Sequence, residues 1–422
     1  MEKESQILIL YEKHQSWNDA TPLEKFSQKK RQRPDFVMLL TIFLLMVVGV
    51  FAIASAKLAS ETNVAWYNTY AFRQCIWYGI GSIFMILVCL VDYKILCRYS
   101  FLVYWVCIGL LVLVLIPHVG AYRFGARRWF DLGFFQLQPS EFAKLAYIFA
   151  MTHYLGRPRA ELRKVPVFFK GVGLMMLPFL LILSEPDLGS AVVLVPAGLA
   201  MLFVSGVPWI YLVKMCGVVV MVLGSFVVDV VYAPDGWKLP IEDYQRRRLL
   251  VFFGQDYIQD QRLSDVERKR LKQLQKNDSY NIEQALISVG SGGIVGKGWG
   301  EGMQTSLGFL PRPVSHNDFI FSVIAEESGF LGSSFVVALY GVLCFMGLRT
   351  ASQARDLLGK ILAVGIVMLL FTHIIVNIGM NIHLMPVTGI PLPLLSYGGS
   401  SVISSLVSLG ILQNIYIYRK SY

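Results

Sequence analysis

The sequence has few charged residues for its length. Asp, Glu, Lys and Arg make up 16% of 422 residues, whereas 55% are hydrophobic and the mean hydropathy is +0.55. A soluble protein must cover its surface with polar groups, so this composition excludes an ordinary soluble domain. We therefore expect one membrane domain, whose length reflects how often segments of about 20 apolar residues cross about 30 Å of hydrocarbon.

Cysteine is scarce, and the sequence has no CxxC or HExxH motif. The six cysteines lie in or beside apolar segments, so neither a disulfide framework nor a zinc site is predicted, and we expect them to be packing residues. The first 34 residues also lack the apolar stretch of a cleavable signal peptide. We expect the first apolar segment to remain as a membrane anchor.

The apolar segments predict an all-α, polytopic membrane protein with about ten transmembrane helices. Residues 1–34 form a predicted polar, cytoplasmic N-terminal arm, and residues 35–422 form the predicted transmembrane domain. The predicted spans are residues 35–56, 72–91, 99–117, 139–155, 165–184, 190–205, 209–232, 318–347, 359–383 and 398–418.

The net charge of +10 comes largely from basic residues in short loops between the apolar segments. This is how cytoplasmic loops are marked in membrane proteins, so the charge is better explained by topology than by nucleic-acid binding. Both termini are then predicted to be cytoplasmic. The loop 120–138, on the opposite side, breaks the rule with Arg123, Arg127 and Arg128, which suggests basic residues kept for a ligand.

The longest loop, residues 233–317, is predicted to be extracytoplasmic and to connect the seventh and eighth spans. Its sequence predicts helices over 260–276 and 281–289. The glycine-rich stretch 290–298 resembles a P-loop only superficially, because the first motif glycine would fall on Ser291 and the hydroxyl residue on Gly298. We therefore do not expect nucleotide binding there.

Ionisable residues within or beside apolar spans are candidate functional residues, because a charge in hydrocarbon is costly. Glu141 and Lys144 are spaced i, i+3 and can pair, either structurally or at a site. Asp318 precedes a long apolar run, so it is either a helix N-cap or a general base. Glu326 and Glu327 are expected to pair with Arg73 or Lys144 if they face the bundle interior.

Two loops complete the candidate site. Arg127 and Arg128 offer guanidinium groups that match phosphate oxygens, although they can also contact lipid headgroups. The loop 385–401 is rich in proline and glycine, and such backbone at membrane depth is tolerated only against protein or a water-filled cavity. The candidate substrate-binding residues are Arg73, Arg127, Arg128, Glu141, Lys144, Ser396, Gly398 and Ser400.

Six motifs, in order along the chain, resemble the SEDS family of bacterial membrane proteins, the group of RodA, FtsW and SpoVE. The resemblance covers nearly all of the chain after about residue 35. The motifs are Arg-Arg-Trp-Phe-Asp-Leu-Gly-Phe-Phe (127–135), Gln-Pro-Ser-Glu-Phe-Ala-Lys-Leu (138–145), Glu-Pro-Asp-Leu-Gly-Ser (185–190), Gly-Lys-Gly-Trp-Gly (296–300), His-Asn-Asp-Phe-Ile-Phe (316–321) and Gly-Ile-Pro-Leu-Pro-Leu-Leu-Ser-Tyr-Gly-Gly-Ser-Ser (389–401).

The resemblance implies a peptidoglycan glycosyltransferase that polymerises lipid II beside a class B penicillin-binding protein and other membrane proteins of the elongation or division complex. It places the chain in the bacterial cytoplasmic membrane and implies that Asp318 is essential. Here Asn317 stands where the family motif has threonine. Asp-Leu-Gly-Phe-Phe (131–135) and Met-Pro-Val-Thr-Gly-Ile-Pro (385–391) are most similar to RodA.

A glycan polymerase needs a base for the attacking hydroxyl and positive charge for the diphosphate leaving group. We expect Asp318 to be the base, basic residues to neutralise the diphosphate, and a divalent cation, Mg²⁺ or Mn²⁺, to assist, with no organic cofactor. Three alternatives stay open at this stage: a division or sporulation paralogue, a flippase for the lipid-linked precursor, and a non-catalytic scaffold in which Asp318 only caps a helix.

Overall fold

Apolar helices dominate the computed structural model, which describes residues 32–61, 64–117, 119–123, 126–133, 135–232, 243–255, 265–310 and 315–419. The helices are α1 (Phe36–Lys57), α2 (Tyr70–Leu90), α3 (Tyr93–Arg98), α4 (Ser100–Leu115), α5 (Pro139–Leu155), α6 (Arg159–Leu162), α7 (Val165–Ser184), α8 (Leu188–Ser205), α9 (Trp209–Tyr232), α10 (Asp243–Phe252), α11 (Asp265–Ser291), α12 (Met303–Ser306), α13 (Ile320–Gln353), α14 (Leu357–Asn381) and α15 (Gly399–Ile417).

A helix lies at each of the ten predicted spans, which confirms the all-α, polytopic fold class. Eight of these helices are long and apolar enough to cross a membrane. The other two, α4 and α5, have 16 and 17 residues. The number of ten membrane spans therefore stays a prediction, and most of the predicted arm, residues 1–31, lies outside the described residues.

Helices α14 and α15 form the centre of the bundle. In their most apolar stretches 72% and 83% of the residues are buried, compared with 6% in α9, which lies at the periphery. Helix α14 packs against α5, α8, α13 and α15, and α15 also packs closely against α2. Polar side chains on α14 are therefore enclosed by protein on several sides, a position suited to holding a site together.

The two ends of the described chain meet on one side of the bundle. The amide of Gln32 donates to the carbonyl oxygen of Ile417 at 3.0 Å. Three residues further on, the amide of Asp35 donates to the side chain of Gln413 at 3.0 Å, and the Gln413 amide group donates back to the Asp35 carbonyl at 2.8 Å. The start of α1 and the end of α15 therefore lie on the same side of the bundle.

The loop 120–138 contains a small sheet that the sequence analysis did not predict. Strands β1 (Ala121–Arg123) and β2 (Ala126–Asp131) pair antiparallel, and β2 pairs antiparallel with β3 (Gln136–Leu137). Strands this short give no readable alternation of polar and apolar residues, which explains why the sheet was not predicted. The sheet fixes Arg127 and Arg128 on β2.

The long loop 233–317 is mostly helical where the structure describes it. Helix α10 (Asp243–Phe252) was not predicted, and the two helices predicted over 260–276 and 281–289 are one continuous helix, α11, from Asp265 onward. Residues 260–264 of the first predicted helix lie outside the described residues. Asn277 to Tyr280, the polar residues that suggested a break, stay within this helix. Polar residues tolerate an exposed helix interior at small cost, so they do not end it.

Helix α13 is broken at Gly329, whose φ of 63° and ψ of −160° are not helical. A glycine-rich loop, residues 292–302, docks at this break and forms backbone hydrogen bonds to it. The amides of Lys297 and Gly298 donate to the carbonyls of Glu326 and Glu327, at 3.1 and 3.0 Å. The loop thus satisfies carbonyl groups that the interrupted helix leaves without partners.

The predicted pairing of Glu326 and Glu327 with Arg73 or Lys144 is wrong. Glu326, which is fully buried, pairs with Lys297 at 2.6 Å and accepts from the Gln304 amide at 3.0 Å. Glu327 accepts hydrogen bonds from the Ser55 hydroxyl and the Gly300 amide. The docked loop supplies partners that spacing along the sequence did not reveal.

Replacing Gly296 by alanine should destabilise the protein. Gly296 has a φ of +88°, and an added Cβ would lie 2.1 Å from the Glu327 carbonyl oxygen. Strain in the left-handed region alone costs about 1–3 kcal/mol, and the clash adds to it. We expect a lower midpoint of thermal unfolding in detergent, measured by intrinsic fluorescence.

Gly290→Ala is the matched control, because Gly290 lies in α11 and an added Cβ would have no atom within 4 Å. Its midpoint should stay unchanged or rise slightly, since alanine favours helix. Equal midpoints for the two variants would contradict the docked position of the loop.

Candidate active site

Asp318 lies in a turn, residues 315–319, that is clamped from two sides. On one side, the side-chain amides of Asn377 and Asn381 both donate to the Asp318 carbonyl oxygen at 3.1 Å. On the other side, the Ser396 hydroxyl donates to the Asn317 carbonyl at 2.6 Å, and the Tyr397 amide donates to the His316 carbonyl at 2.9 Å. The backbone is fixed while the Asp318 side chain plays no part in fixing it.

The alternative interpretation of Asp318 as a helix N-cap is wrong. Helix α13 begins at Ile320 with Phe319 as its N-cap residue, and no side-chain hydrogen bond caps it there. The amide of Ser322, in the first turn, donates instead to the side-chain oxygen of Asn381 at 3.2 Å. A partner helix caps α13, so the Asp318 carboxylate is available for another role.

The Asp318 carboxylate lies close to the guanidinium group of Arg248. A methyl group added at Gly389, between them, would lie 3.6 Å from Oδ2 of Asp318 and 3.9 Å from Nη1 of Arg248. Arg248 itself donates to the Val387 carbonyl at 3.2 Å. Gly389 has a φ of +74°, a backbone conformation that glycine adopts without the steric strain that a side chain would bring.

Opposing effects set the protonation of Asp318, which lies outside the membrane-spanning helices. Burial raises the pKa of its carboxyl group to about 6, the Arg248 and Arg128 guanidinium groups lower it, and the Asp187 carboxylate raises it. A carboxylate with a pKa near 6 is mostly ionised at neutral pH and is a stronger base than an ordinary aspartate. These are the properties of a general base.

Arg128 reaches the site from strand β2. Its Nε donates to the Glu185 carbonyl at 2.9 Å, and an Nη donates to the Pro186 carbonyl. These bonds attach the strand to the turn between α7 and α8. Arg128 and Arg248 both line one pocket. Its lining residues are Arg128, Pro186, Leu188, Arg248, Leu249, Pro386, Val387 and Thr388.

The turn between α7 and α8 also carries two acidic residues with different environments. Asp187 caps α8 by accepting from the Ser190 amide at 3.1 Å. Glu185 is fully buried, and burial, together with the Asp187 carboxylate, raises its pKa to about 9 against the lowering effect of Arg128. Glu185 is therefore neutral at pH 7, whereas Asp318, with a pKa of about 6, is mostly ionised.

Arg248 was missed by the sequence analysis. It belongs to the basic run Arg246-Arg247-Arg248 in the long loop, which was assigned no role. Helix α10 separates the members of this run: Arg246 pairs with Asp229 at 3.2 Å, whereas Arg248 points towards Val387 and the site. The run itself was a usable signal, but only the fold distinguishes which arginine reaches Asp318.

Glu141 and Lys144 form the predicted ion pair, with Nζ of Lys144 2.7 Å from Oε1 of Glu141. Lys144 also lies 2.8 Å from Nε2 of His373 on α14, and it is 1% exposed. These groups line a separate internal cavity together with serines of α15. The pair lies inside the bundle, so its predicted contact with substrate stays a prediction.

One face of α14 connects the two polar regions. His373, Asn377 and Asn381 follow each other at intervals of four residues, which places them on the same side of the helix. His373 contacts Lys144, whereas the two asparagines hold the Asp318 turn. The i, i+4, i+8 spacing of polar residues in an apolar helix was visible in the sequence and was overlooked.

The remaining predicted residues surround this core. Arg73 is exposed and lies beside Tyr397, whose ring contacts His316 with centroids 5.4 Å apart. Arg127 is half-buried on β2, next to Arg128. Both lie outside the immediate surroundings of Asp318, and their role in substrate binding stays a prediction.

The three predicted residues of the loop 385–401 hold backbone in place. Ser396 accepts from the Leu392 amide at 2.8 Å in addition to its bond to Asn317, and the Gly398 amide donates to Gln74 at 3.4 Å. Ser400 donates to the Gln136 carbonyl at 2.9 Å, which joins α15 to the sheet. These contacts support the site, and direct substrate binding by these residues stays a prediction.

A cation site made by protein alone is not found in the described residues, which contain no group of three or more His, Cys, Asp or Glu side chains placed to hold an ion. The site offers the carboxyl groups of Asp187 and Asp318. Mg²⁺ commonly binds through one or two carboxylates together with substrate phosphates. The residues thus fit a cation that arrives with a phosphorylated substrate.

Known proteins similar to this chain fall in one family. The family model for FtsW, RodA and SpoVE, described as cell cycle protein, matches residues 35–421. The peptidoglycan glycosyltransferase MrdB of Escherichia coli K12 is 34% identical over 390 residues, covering 92% of this chain and 94% of MrdB. Stage V sporulation protein E of Bacillus subtilis is 34% identical over 396 residues, covering 93% and 99%.

Solved structures are similar to the whole fold. The crystal structure of the rod shape determining protein RodA of Thermus thermophilus has a TM-score of 0.61 and 27% identity, covering 92% of this chain and 98% of that chain. A chain of a peptidoglycan synthase complex, described as coordinating polymerization and crosslinking, has a TM-score of 0.71 and 28% identity with the same coverage. The sequence, the motifs and the fold agree: this chain belongs to the FtsW, RodA and SpoVE family, as its resemblance to SEDS proteins implied.

Proposed function

We propose that this chain is a peptidoglycan glycosyltransferase that polymerises lipid II into glycan strands during cell elongation, with Asp318 as the general base. The observation that carries the proposal is the Asp318 carboxylate, of raised pKa, close to Arg248, which lines a pocket together with Arg128. Relatives named peptidoglycan glycosyltransferase, among them MrdB of E. coli and RodA of Treponema pallidum, support the same reaction.

In this reaction a sugar hydroxyl of one lipid-linked molecule attacks the anomeric carbon of another. A bond forms between the hydroxyl oxygen and the anomeric carbon, and the bond from that carbon to the diphosphate oxygen breaks. Asp318 accepts the hydroxyl proton, and the electron pair of the broken bond stays with the leaving diphosphate. The fixed backbone of the 315–319 turn suits this role, because a base must be held within hydrogen-bond distance of the proton it accepts.

The leaving diphosphate gains negative charge, which Arg128 and Arg248 are placed to stabilise. Guanidinium groups bind phosphate oxygens in pairs, and their charge does not depend on pH in the physiological range. Their own carbonyl contacts, to Pro186 and Val387, hold them before substrate arrives. The roles of Lys144, Arg127 and Arg73, the other basic residues expected to neutralise the diphosphate, stay predictions.

A divalent cation, Mg²⁺ or Mn²⁺, remains part of the proposal. Asp187 would hold it together with diphosphate oxygens, which leaves the Asp318 carboxylate to act as the base, and the cation would add positive charge at the leaving group. The Glu185 side chain is neutral at pH 7, so it would not compete with Asp187 for the cation.

We place the site at the outer face of the bacterial cytoplasmic membrane, with both termini in the cytoplasm. The joined ends of the described chain support a common side for the termini, and the basic short loops support the cytoplasmic side. A class B penicillin-binding protein is the proposed partner, and other membrane proteins of the elongation or division complex would assemble with the pair. The similarity to a chain of a peptidoglycan synthase complex supports this partner.

A flippase for the lipid-linked precursor is the second candidate, because the Glu141, Lys144 and His373 cluster lies inside the bundle. A transport path needs polar groups along its length. Here the cluster is closed by ion pairing, whereas the pocket beside Asp318 carries the chemistry of group transfer. The elongation role, as opposed to division or sporulation, is supported by the motifs over 131–135 and 385–391.

Asp318→Asn should abolish polymerisation without unfolding the protein. We expect a roughly 10²- to 10⁴-fold lower rate, because asparagine keeps the shape but cannot accept the proton. The assay is glycan ladder formation from fluorescent lipid II by the chain with its penicillin-binding partner. Glu283→Gln, an exposed change on α11, is the control. Equal ladders from Asp318→Asn and the wild type would contradict the role of Asp318.

The rate should fall as pH decreases through the pKa of Asp318. Since this pKa is raised to about 6, the carboxylate is present above about pH 6 and is lost below it. We expect kcat/KM to decrease about tenfold per pH unit on the acid side. A rate that stays constant down to about pH 5 would contradict an Asp318 base with this pKa.

Arg248→Ala should lower the rate roughly 10²-fold, as removal of one charge-stabilising donor does in other enzymes. It should also shift the acid limb of the pH profile to higher pH, because Arg248 lowers the pKa of Asp318. Arg270→Ala on the exposed side of α11 is the control. A reduced rate with an unshifted acid limb would show that Arg248 does not act on Asp318.

A further inference from the structure

The glycine-rich loop 292–302 exposes large aliphatic side chains at its tip. Ile294 is 69% exposed and Val295 is 75% exposed, although both lie in a segment fixed by hydrogen bonds. Between residues 292 and 300 the one charged side chain is Lys297, and it turns away to bind Glu326 and the Ser291 hydroxyl. Between residues 292 and 300 the loop therefore presents an apolar surface outward, and its one charged side chain is paired with the buried Glu326.

The loop is attached to α13 at a defined level. The amide of Phe330 donates to the Gly293 carbonyl at 2.8 Å, and the amide of Leu331 donates to the Ile294 carbonyl at 3.1 Å. These bonds place the tip beside the first residues that follow the break at Gly329. Wherever residues 330 and 331 lie relative to the membrane, the tip lies at the same depth.

The depth of these residues follows from the charge pattern of α13. Residues 330–348 carry no charged side chain and are flanked by Glu327 and Arg349. At 1.5 Å per residue this segment spans roughly 28 Å, close to the thickness of the hydrocarbon core of a bilayer. Phe330 and Leu331 therefore lie at the edge of the hydrocarbon core, on the side where Asp318 lies.

The exposed apolar surface continues from the loop onto two membrane helices. Phe330 and Leu331 on α13 are 68% and 59% exposed. On the other side, the indole nitrogen of Trp299 donates to the Phe51 carbonyl of α1 at 3.0 Å, and the two rings make an edge contact. Helices α1 and α13 both have the length and hydropathy of membrane spans, so their exposed apolar faces contact lipid.

We propose that residues 293–299 lie in the membrane, with Ile294 and Val295 among the acyl chains and Trp299 at the level of the headgroups. Irregular backbone at this depth is tolerated when protein satisfies it, and here α13 accepts or donates hydrogen bonds along the loop. The Lys297–Glu326 ion pair removes the charge that would otherwise oppose insertion. The loop thereby fixes the height of α13, and with it the Asp318 turn, relative to the membrane surface.

Spin labels on the full-length chain in lipid nanodiscs test this placement. Cys75 and Cys216, the two exposed cysteines, and the half-exposed Cys89 and Cys344 are replaced by alanine, and Val295→Cys is labelled. Val220→Cys, on the exposed face of α9, is the lipid reference, and Lys269→Cys, on α11, is the aqueous reference. Collision rates with oxygen, which enriches in lipid, and with a water-soluble nickel chelate are measured by power saturation.

The label at position 295 should resemble the label at 220, with high oxygen access and a severalfold lower nickel access than the label at 269. Adding Glu326→Gln, which leaves the positive charge of Lys297 without its ion pair, should raise nickel access at 295. A label at 295 that resembles the one at 269 would overturn the proposal, as would low access to both agents, which would mean that protein covers the loop. Unchanged nickel access with Glu326→Gln would overturn the role of the ion pair in insertion.

Discussion

Two hydrogen bonds to one carbonyl group hold the candidate site together. Asn377 and Asn381 on the central helix α14 both donate to the backbone oxygen of Asp318 at 3.1 Å. A buried carbonyl without partners is costly, so these bonds strongly favour one position of the turn. Because the backbone is held this way, the carboxylate needs no structural bond and remains available for chemistry.

The structure separates charges that stabilise the fold from charges that can act on a substrate. Glu141 and Lys144 neutralise each other inside the bundle, and Glu326 and Lys297 do so where the glycine-rich loop docks. Breaking such a buried pair leaves an uncompensated charge, which costs several kcal/mol. The basic groups beside Asp318 also bond to carbonyl groups, which hold them in position. Two guanidinium groups are thus held where a diphosphate would bind.

The raised pKa of Asp318 reflects the same balance. Burial alone favours the neutral form, and the two guanidinium groups limit that effect, so the group ionises near neutral pH while remaining basic. Burying this carboxylate costs stability, because its ionised form is less favourable in the protein than in water. A catalytic group of this kind lowers the stability of the fold while the activity requires it.

Local sequence patterns were sufficient to predict part of the fold and part of the candidate site. The apolar segments predicted helices at all ten positions, and the i, i+3 spacing predicted the Glu141–Lys144 pair, because both depend on neighbours along the chain. Arg248, by contrast, reaches Asp318 from a segment about 70 residues away.

Docking of the glycine-rich loop was also beyond sequence patterns, since it depends on a break in α13 that brings Gly296 against the Glu327 carbonyl. Contacts between distant segments leave no periodicity, so charge and spacing alone could not assign them.

The central claim is that the Asp318 turn, Arg128 and Arg248 form one site for a lipid-linked diphosphate sugar. A structure of the Asp318→Asn chain with bound lipid II tests this most directly, because that variant should bind substrate without consuming it. We predict the diphosphate between Arg128 and Arg248, with the anomeric carbon on the side of residue 318. A diphosphate bound at Lys144 in the interior of the bundle, with the outer pocket empty, would contradict the account.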